Sequence, residues 1–587
     1  MCGIIGYVGK NNSLPIVLNG LKSLEYRGYD SSGIAYKLDG KIKIVKESGK
    51  ISNLEKIMDD DFSNIGIGHT RWATHGKPSK ENSHPHRQGC VTLVHNGIIE
   101  NFQELKNDLT KKGYKFLSET DSEVVAALID SYYKKNHSML DTLEKVKKDL
   151  HGSYALGIMV DDEDSIYAIR NQSPLIVGVK DNESFIASDV PAILSYTKEY
   201  YLLDEDEIAK LDKHGIIFYK NKKETIKEKL VFNGTMDAAQ KNGYAHFMLK
   251  EIHEEPDVIA NLYHLHKKNK FADLPDLSKY KEIDIIACGS AYHAGLIGKY
   301  LLEEYVGIRV NVCIASEYRY ETHLKTKNKL VILISQSGET ADTIACMNIA
   351  KENKYDTLGI VNVVGSTIAR LVDKVLYIHA GCEIAVATTK AYLLQVFLLS
   401  LITYKNMKDP QEEVLKSYQS LPLNITNLID QKYTKIVEKI YKHEDIFFIG
   451  RLVDYALCME GSLKLKEISY IHSEAYPGGE LKHGTISLIE EGTPVIAIVT
   501  DERIAYKTIS NIKEVKARGA YVLVIVKEGI VVPNDVYDDI IIIPLSNELS
   551  SPILSVVPLQ VIAYYVALKR KCDIDKPRNL AKSVTVE

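Results

Sequence analysis

Apolar positions along the chain fall into two textures. Over residues 1 to about 225 they form short runs between polar loops, and Ile4–Val8, Ile34–Tyr36, Lys41–Lys46, Ile65–His69, Val91–His95 and Ala155–Val160 read as strands. Two helical stretches interrupt them, one at 14–25 opened by Pro15 and one at 121–134 with Asp121 as its N-cap. Strands with segregated helices predict an α+β layered domain over 2–220. A Lys-rich polar stretch at 219–230 and a helical stretch at 236–270, broken at Pro256, predict a linker over 221–272.

From about residue 275 the pattern becomes strand–helix alternation. Ile283–Ala287, Leu330–Ser335, Leu358–Val363 and Val375–His379 are apolar runs separated by helical segments, which predicts a parallel sheet. The pattern then repeats. Ile446–Gly450 echoes Ile285–Gly289, Val495–Thr500 echoes Val331–Gln336, and Ile541–Leu545 echoes Val375–His379, all at an offset near 160–166. A tandem pair of doubly wound α/β domains, at 273–415 and 436–577, accounts for this better than two unrelated domains, because the offset is nearly constant.

Composition narrows the picture. The chain has 587 residues, 45% hydrophobic and 26% charged, with a formal net charge of -5. These values are ordinary for a globular protein and give no reason to expect nucleic acid or membrane as partner. The apolar stretches 391–404 and 552–568 fall short of the ~20 residues of a membrane helix and read as buried helices. The amino terminus lacks the basic region and cleavage site of a signal peptide. Eight scattered cysteines without a CxxC pair fit a reducing cytoplasm. His84, His86 and His95 have no carboxylate or cysteine at ligand spacing, so no metal or other cofactor is expected.

Candidate chemistry begins at Cys2. Removal of Met1 would leave a thiol and a free α-amine on one residue. With an α-amine pKa of ~7.7–8.0, part of that amine is neutral near pH 7 and can serve as base for its own thiol. Alone, Cys2 is compatible with a buried thiol. It is accompanied by Arg27-Gly28-Tyr29-Asp30-Ser31, by His69-Thr70-Arg71-Trp72-Ala73-Thr74-His75-Gly76, by His95-Asn96-Gly97 and by Thr120-Asp121.

This ordered set resembles the amino-terminal-nucleophile glutaminase domain of class II amidotransferases, an αββα fold. The resemblance implies Cys2 as nucleophile and Asn96 with the Gly97 N–H as an oxyanion hole. It implies a glutamine pocket of Arg27, Arg71, Trp72, Thr74, His75 and Asp121. Arg71 would grip the α-carboxylate and Asp121 the α-ammonium. Trp72 would gate the path by which ammonia leaves.

In the second half, Ser335-Gln336-Ser337-Gly338-Glu339-Thr340 follows an apolar strand and precedes a helix, an arrangement that favours a phosphate. Glu339 either caps the helix or touches the ligand. In the second copy the equivalent stretch, Val499-Thr500-Asp501-Glu502-Arg503, has lost the hydroxyls, so one copy would bind phosphate and the other supply catalytic groups. Glu460, Lys464 and Glu467 share one helix face at i, i+4, i+7. A solvated ion pair is the ordinary meaning of that spacing. The apolar residues around it and the following Gly478–Gly484 loop point instead to a site.

These motifs resemble the sugar-isomerase (SIS) domain and, over essentially the whole chain, the isomerizing glutamine:fructose-6-phosphate aminotransferases. The resemblance implies conversion of fructose 6-phosphate and glutamine to glucosamine 6-phosphate and glutamate, with ammonia passed internally. It implies that Lys582, in a catalytic tail at 578–587, forms a Schiff base with the ketose. Glu467 would move the proton between C1 and C2, and Lys464 would assist at the sugar hydroxyls. His483 would open the ring, within the chain or from a neighbouring subunit of a homodimer. Ser290, Ser335, Gln336, Ser337, Thr340, Val386 and Ala581 would hold the sugar phosphate, with Thr388 and Lys390 nearby. Ala291 and Thr485 depart from the family pattern, at a hydroxyl and a proline position. Two other readings fit less well: an amidotransferase with a phosphoribosyl acceptor would need a phosphoribosyltransferase signature where the sequence has two sugar-isomerase-like copies, and a non-catalytic phosphosugar sensor would not need Glu467, His483 and Lys582.

Overall fold

A computed structural model describes residues 2–73, 75–231 and 240–585. The chain divides into two compact units. One comprises residues up to 239 with 339–341 and 581–587, the other 240–338 and 342–580.

In the first unit two antiparallel sheets lie face to face. One runs Leu230–Val231, Glu199–Leu202, Ile176–Lys180, Glu183–Ala187, Gly3–Val8, Ile65–Arg71, Ser31–Leu38, Lys41–Ser48. The other runs Lys223–Thr225, Gly215–Lys220, Glu207–Asp212, Ile166–Asn171, Gly152–Val160, Val91–Ile99, His86–Gln88. Ile4, Ile67, Val94, Ala155, Ile166 and Ile186 fill the space between them, one face of each strand as the two-residue period requires. Helix Ser13–Leu24 covers the outer face of the first sheet. Bare glycines let it approach, and a Cβ on Gly68 would lie 2.5 Å from Val17. Helices Asp121–Asn136 and Met139–Asp149 cover the second sheet through Val124, Leu128, Leu143 and Val146. The layers are therefore αββα. Strands Lys223–Thr225 and Leu230–Val231 lie in the stretch read as a linker, yet each pairs into a sheet of this unit. That Lys-rich segment is edge strand, where solvated lysines are tolerated.

The second unit holds two five-stranded sheets, parallel throughout. Their orders are Arg309–Ile314, Glu282–Ala287, Lys329–Ser335, Asp356–Val361, Lys374–Tyr377 and His472–Pro477, Asp445–Gly450, Pro494–Val499, Tyr521–Lys527, Asp539–Ile543. Both follow the order 2-1-3-4-5, in which ligands bind beyond the carboxyl ends of strands 1 and 3. The first strands begin at Glu282 and Asp445, 163 positions apart, and the third at Lys329 and Pro494, 165 apart. The duplication is thus structural. Each copy's second strand is an edge, and its mixed polar pattern (Arg-Val-Asn-Val-Cys-Ile, His-Ser-Glu-Ala-Tyr-Pro) gives no apolar run in the sequence.

Helices Phe247–His253 and Glu255–Lys268 also fall in the expected linker. They bury Met248, Ile252, Ile259 and Leu262 in this unit's core and so are part of it. The same core takes helices Lys390–Asn406 and Ser551–Lys569. The latter is long and apolar enough to cross a membrane (mean hydropathy 1.7), and 89% of that stretch is buried inside the protein.

Candidate functional site

The amino-terminal strand Gly3–Val8 lies between Ile65–Arg71 and Glu183–Ala187, which delivers Cys2 to the end of the strand carrying Arg71. Cys2, Arg71, Trp72, His75, His84, His95, Gly97, Thr120, Asp121 and Ser122 line one small cavity. The Trp72 N–H donates to Cys2 Sγ at 3.3 Å. Burial pushes the Cys2 thiol up, while the Trp72 N–H and Arg71 pull it down and Asp121 adds to the rise. A thiol so held needs a base, the part an α-amine on the same residue could play.

The expectation for Asp121 changes. Thr120 is the N-cap of helix Asp121–Asn136, its hydroxyl accepting from Glu123 N–H at 3.3 Å. Asp121 is the first helical residue, and its carboxylate is released for the cavity. It is buried and accepts from Ile99 N–H at 2.9 Å. Arg71 is buried and spans the loop after it, donating to the carbonyls of His75, Gly76 (3.0 Å) and Lys77 (3.5 Å). Asp30 holds the same loop by accepting from Ala73 N–H at 2.9 Å. Thr74 lies outside the described residues. Arg27 reaches the Cys2 carbonyl (3.2 Å) and Asp189 (3.3 Å), which places it behind Cys2 and outside the lining of the cavity.

Gly97 occupies strand Val91–Ile99 at φ +125°, and a Cβ there would lie 1.9 Å from the Ser153 carbonyl. Only glycine fits. Asn96 Nδ2 donates to the Cys2 carbonyl (3.0 Å) and to Ser188 Oγ (2.8 Å). Beneath the cavity His69 and His84 stack at 4.0 Å, and His84 meets His86 edge-on at 4.6 Å. Burial lowers His69 to about 3 and holds His84 and His86 well below the usual imidazole range, so these rings are neutral scaffolding.

In the second unit, strand Lys329–Ser335 ends at the hydroxyl-rich turn. Ser335 Oγ accepts from Gly338 N–H at 3.0 Å, and Gln336 O from Asn362 N–H at 3.0 Å. Gly338 has φ +65°, with Ser366 Oγ only 2.0 Å from where a Cβ would stand. The turn leads into helix Ala341–Glu352. The tail reaches the same helix start, where Ala341 N–H donates to the Val584 carbonyl at 3.1 Å, two residues beyond the half-buried Lys582. Ala581 and Lys582 lie just before this hydrogen-bonded residue of the tail.

Glu460, Lys464 and Glu467 share one face of helix Val453–Ser469, as their spacing predicts, and the solvated reading fails. Glu460 is 1% and Lys464 0% exposed. Lys464 Nζ lies 2.6 Å from Glu467 and 3.5 Å from Glu460. Burial would lower Lys464, but the charges of Glu467 and Glu460 outweigh it and raise the ammonium above its usual range. Ser290, expected on the sugar phosphate, gives its hydroxyl proton to Glu460 at 2.9 Å, and His293 Nδ1 meets the other Glu460 oxygen at 2.8 Å. Val386 is buried, its N–H donating to the Asp575 carbonyl at 3.0 Å. Thr388 donates to Glu383 (2.8 Å), and Lys390 is committed to Glu254 and the Cys382 carbonyl, both at 2.7 Å. His483 is exposed, in a short 3-10 turn Glu480–His483. In the second copy the Thr500 N–H and hydroxyl both donate to Asp454, so an internal carboxylate fills the place equivalent to the hydroxyl turn. Sequence reasoning missed His293 and Asp454, since both contacts join positions remote along the chain.

Comparisons with known proteins agree with this layout. A glutamine amidotransferase domain model matches residues 69–195, and a SIS domain model matches 276–404 and 439–570. The chain is similar to the isomerizing glutamine--fructose-6-phosphate aminotransferases of Caldanaerobacter subterraneus (49% identical) and Clostridium acetobutylicum (48%), each over the full length of both chains. Among solved structures, the C-terminal domain of glucosamine-fructose-6-phosphate aminotransferase from Francisella tularensis matches at 35% identity and a TM-score of 0.54. It covers 58% of this chain and 99% of its own. Relatives nearly half identical from end to end, and domain models that fall on the first unit and on both α/β copies, place the chain in the family of isomerizing glutamine--fructose-6-phosphate aminotransferases.

Proposed function

We propose that the chain transfers the amide nitrogen of glutamine to fructose 6-phosphate, forming glucosamine 6-phosphate and glutamate. The observation that carries this reading is the cavity joining Cys2 to Arg71, Gly97 and Asp121, with Asn96 bonded to the Cys2 carbonyl, in a chain similar over its full length to enzymes of that name. Arg71 and Asp121 present opposite charges to a zwitterion. The Cys2 thiolate attacks the side-chain amide, and the oxyanion forms against Asn96 and the Gly97 N–H. Loss of ammonia leaves a thioester, which water cleaves to glutamate.

At the other site His483 opens the sugar ring, and Lys582, as free amine, condenses with the C2 carbonyl and releases water. Ammonia displaces Lys582 to give the ketimine. Glu467 moves a proton from C1 to C2, and the aldose amine results. Lys464, 2.6 Å away, fixes the position of the Glu467 side chain. The hydroxyl turn Ser335–Thr340 and the amino end of the following helix take the phosphate. We assign residues 2–220 to the glutaminase, 273–415 and 436–577 to the SIS copies and 578–587 to the catalytic tail. Ammonia passes internally, the enzyme is cytoplasmic, and it works as a homodimer.

The test is product analysis with two variants. Cys2→Ala abolishes glutamine-driven formation of glucosamine 6-phosphate and leaves sugar isomerisation. Lys582→Arg blocks synthesis and leaves glutamine hydrolysis measurable. Full synthesis by either variant would overturn the corresponding assignment.

A further inference from the structure

We propose that His69 is a positioning residue for the oxyanion hole, its one N–H locking the Asn96 carboxamide with the nitrogen turned toward Cys2. The inference rests on reading Asn96 as an oxyanion donor.

Asn96 Nδ2 lies 3.0 Å from the Cys2 carbonyl and 2.8 Å from Ser188 Oγ. A carbonyl oxygen only accepts, so the amide nitrogen must face Cys2 and the Oδ1 must face away. On that far side His69 Nε2 lies 3.1 Å from Asn96 Oδ1 and 2.9 Å from the His95 carbonyl. Both neighbours are acceptors, so Nε2 carries the proton and shares it between them. His69 Nδ1 is buried without a hydrogen-bond partner among the described residues, which suits the bare nitrogen of that tautomer. The ring is fully buried and cannot swing, because His84 stacks on it and His84 Nδ1 in turn accepts the His95 N–H at 3.2 Å.

The consequence is directional. An Asn amide can rotate by half a turn at little steric cost, exchanging oxygen for nitrogen. Flipped, it would set a partial negative charge where the oxyanion forms. The His69 N–H stabilises the productive orientation from behind. Ser188 completes the lock, since its Oγ accepts from Ile4 N–H at 2.7 Å and so ties Asn96 to the strand that begins at Cys2.

The test separates positioning from general integrity in the full-length enzyme. Glutamate γ-semialdehyde adds to the Cys2 thiol and forms an oxyanion-bearing adduct, whereas glutamate occupies the pocket without one. For His69→Phe the expected result is aldehyde binding weakened about 30–100-fold, glutamate binding unchanged, and glutaminase kcat lowered in step with a steady KM. His69→Gln, which can return an N–H at the same reach, recovers most of the loss. Asn96→Ala is measured alongside. If it leaves aldehyde binding intact, the oxyanion reading itself fails. If Asn96→Ala weakens the aldehyde and His69→Phe does not, or if His69→Phe weakens aldehyde and glutamate alike, the positioning role is overturned.

Discussion

Gly97→Ala is the sharpest single perturbation the glutaminase geometry offers. The added Cβ would stand 1.9 Å from the Ser153 oxygen, 2.7 Å from its carbonyl carbon and 2.8 Å from Tyr154 Cα. All three are backbone atoms of the neighbouring strand Gly152–Val160, to which Gly97 is paired opposite Tyr154. They cannot rotate away. Ordinary contact begins at 3.4 Å, so the strands must part locally by about 1.5 Å. Alanine is also strained at φ +125°, at a cost of about 1–3 kcal/mol. The folded unit can absorb that cost, but the Gly97 N–H cannot stay in place. A shift on the order of 1 Å in a donor aimed at the transition state lowers turnover by roughly 10²–10³-fold. The assay is steady-state glutamine hydrolysis, run beside fructose 6-phosphate isomerisation and a thermal melt. The prediction is a large fall in glutaminase kcat, a small fall in melting temperature and unchanged isomerisation. Glutaminase activity within a fewfold of the parent would refute the claim that only glycine fits and that its N–H serves the oxyanion.

Two further outcomes follow from the second unit. Lys464→Met leaves Glu460 and Glu467 without their shared cation, and should cost about 3–5 kcal/mol in denaturant unfolding and abolish isomerisation while sparing glutamine hydrolysis. Burial raises Asp454 to about 6, above its ordinary 3.8, so the folded chain binds more protons than the unfolded chain between those values. The stability tied to that proton is full below pH ~4 and lost as pH rises through 6, by about 3 kcal/mol. Asp454→Asn, which can still pair with the Thr500 N–H and hydroxyl, should flatten this slope in melts from pH 5 to 8 and be the more stable protein at pH 8.

Much of this could be read from the chain. The apolar runs of the interior strands were legible because both faces of a parallel sheet are buried, as Val331–Ile334 shows. That Cys2, Arg71, Gly97 and Asp121 line one cavity was foreshadowed because each of their motifs is contiguous in sequence. The edge strands Arg309–Ile314 and His472–Pro477 were not, since a strand with one free edge keeps polar residues. The linker was misread for a related reason, as solvated edge strands and an amphipathic helix pair look like connecting sequence. Within the site, Asp121 was read as a cap because the sequence does not show that Thr120 takes that place. Ser290 was read against a phosphate because nothing local shows Glu460 opposite it. Such pairings are fixed by packing between elements far apart in sequence.

The central claim is that nitrogen leaving Cys2's substrate ends on the sugar. The direct measurement supplies glutamine labelled with ¹⁵N at the side-chain amide, fructose 6-phosphate and excess unlabelled ammonium, and reads the mass of the product. The account predicts glucosamine 6-phosphate carrying ¹⁵N despite the unlabelled pool. Unlabelled product, or glutamate released with no amino sugar formed, would contradict it.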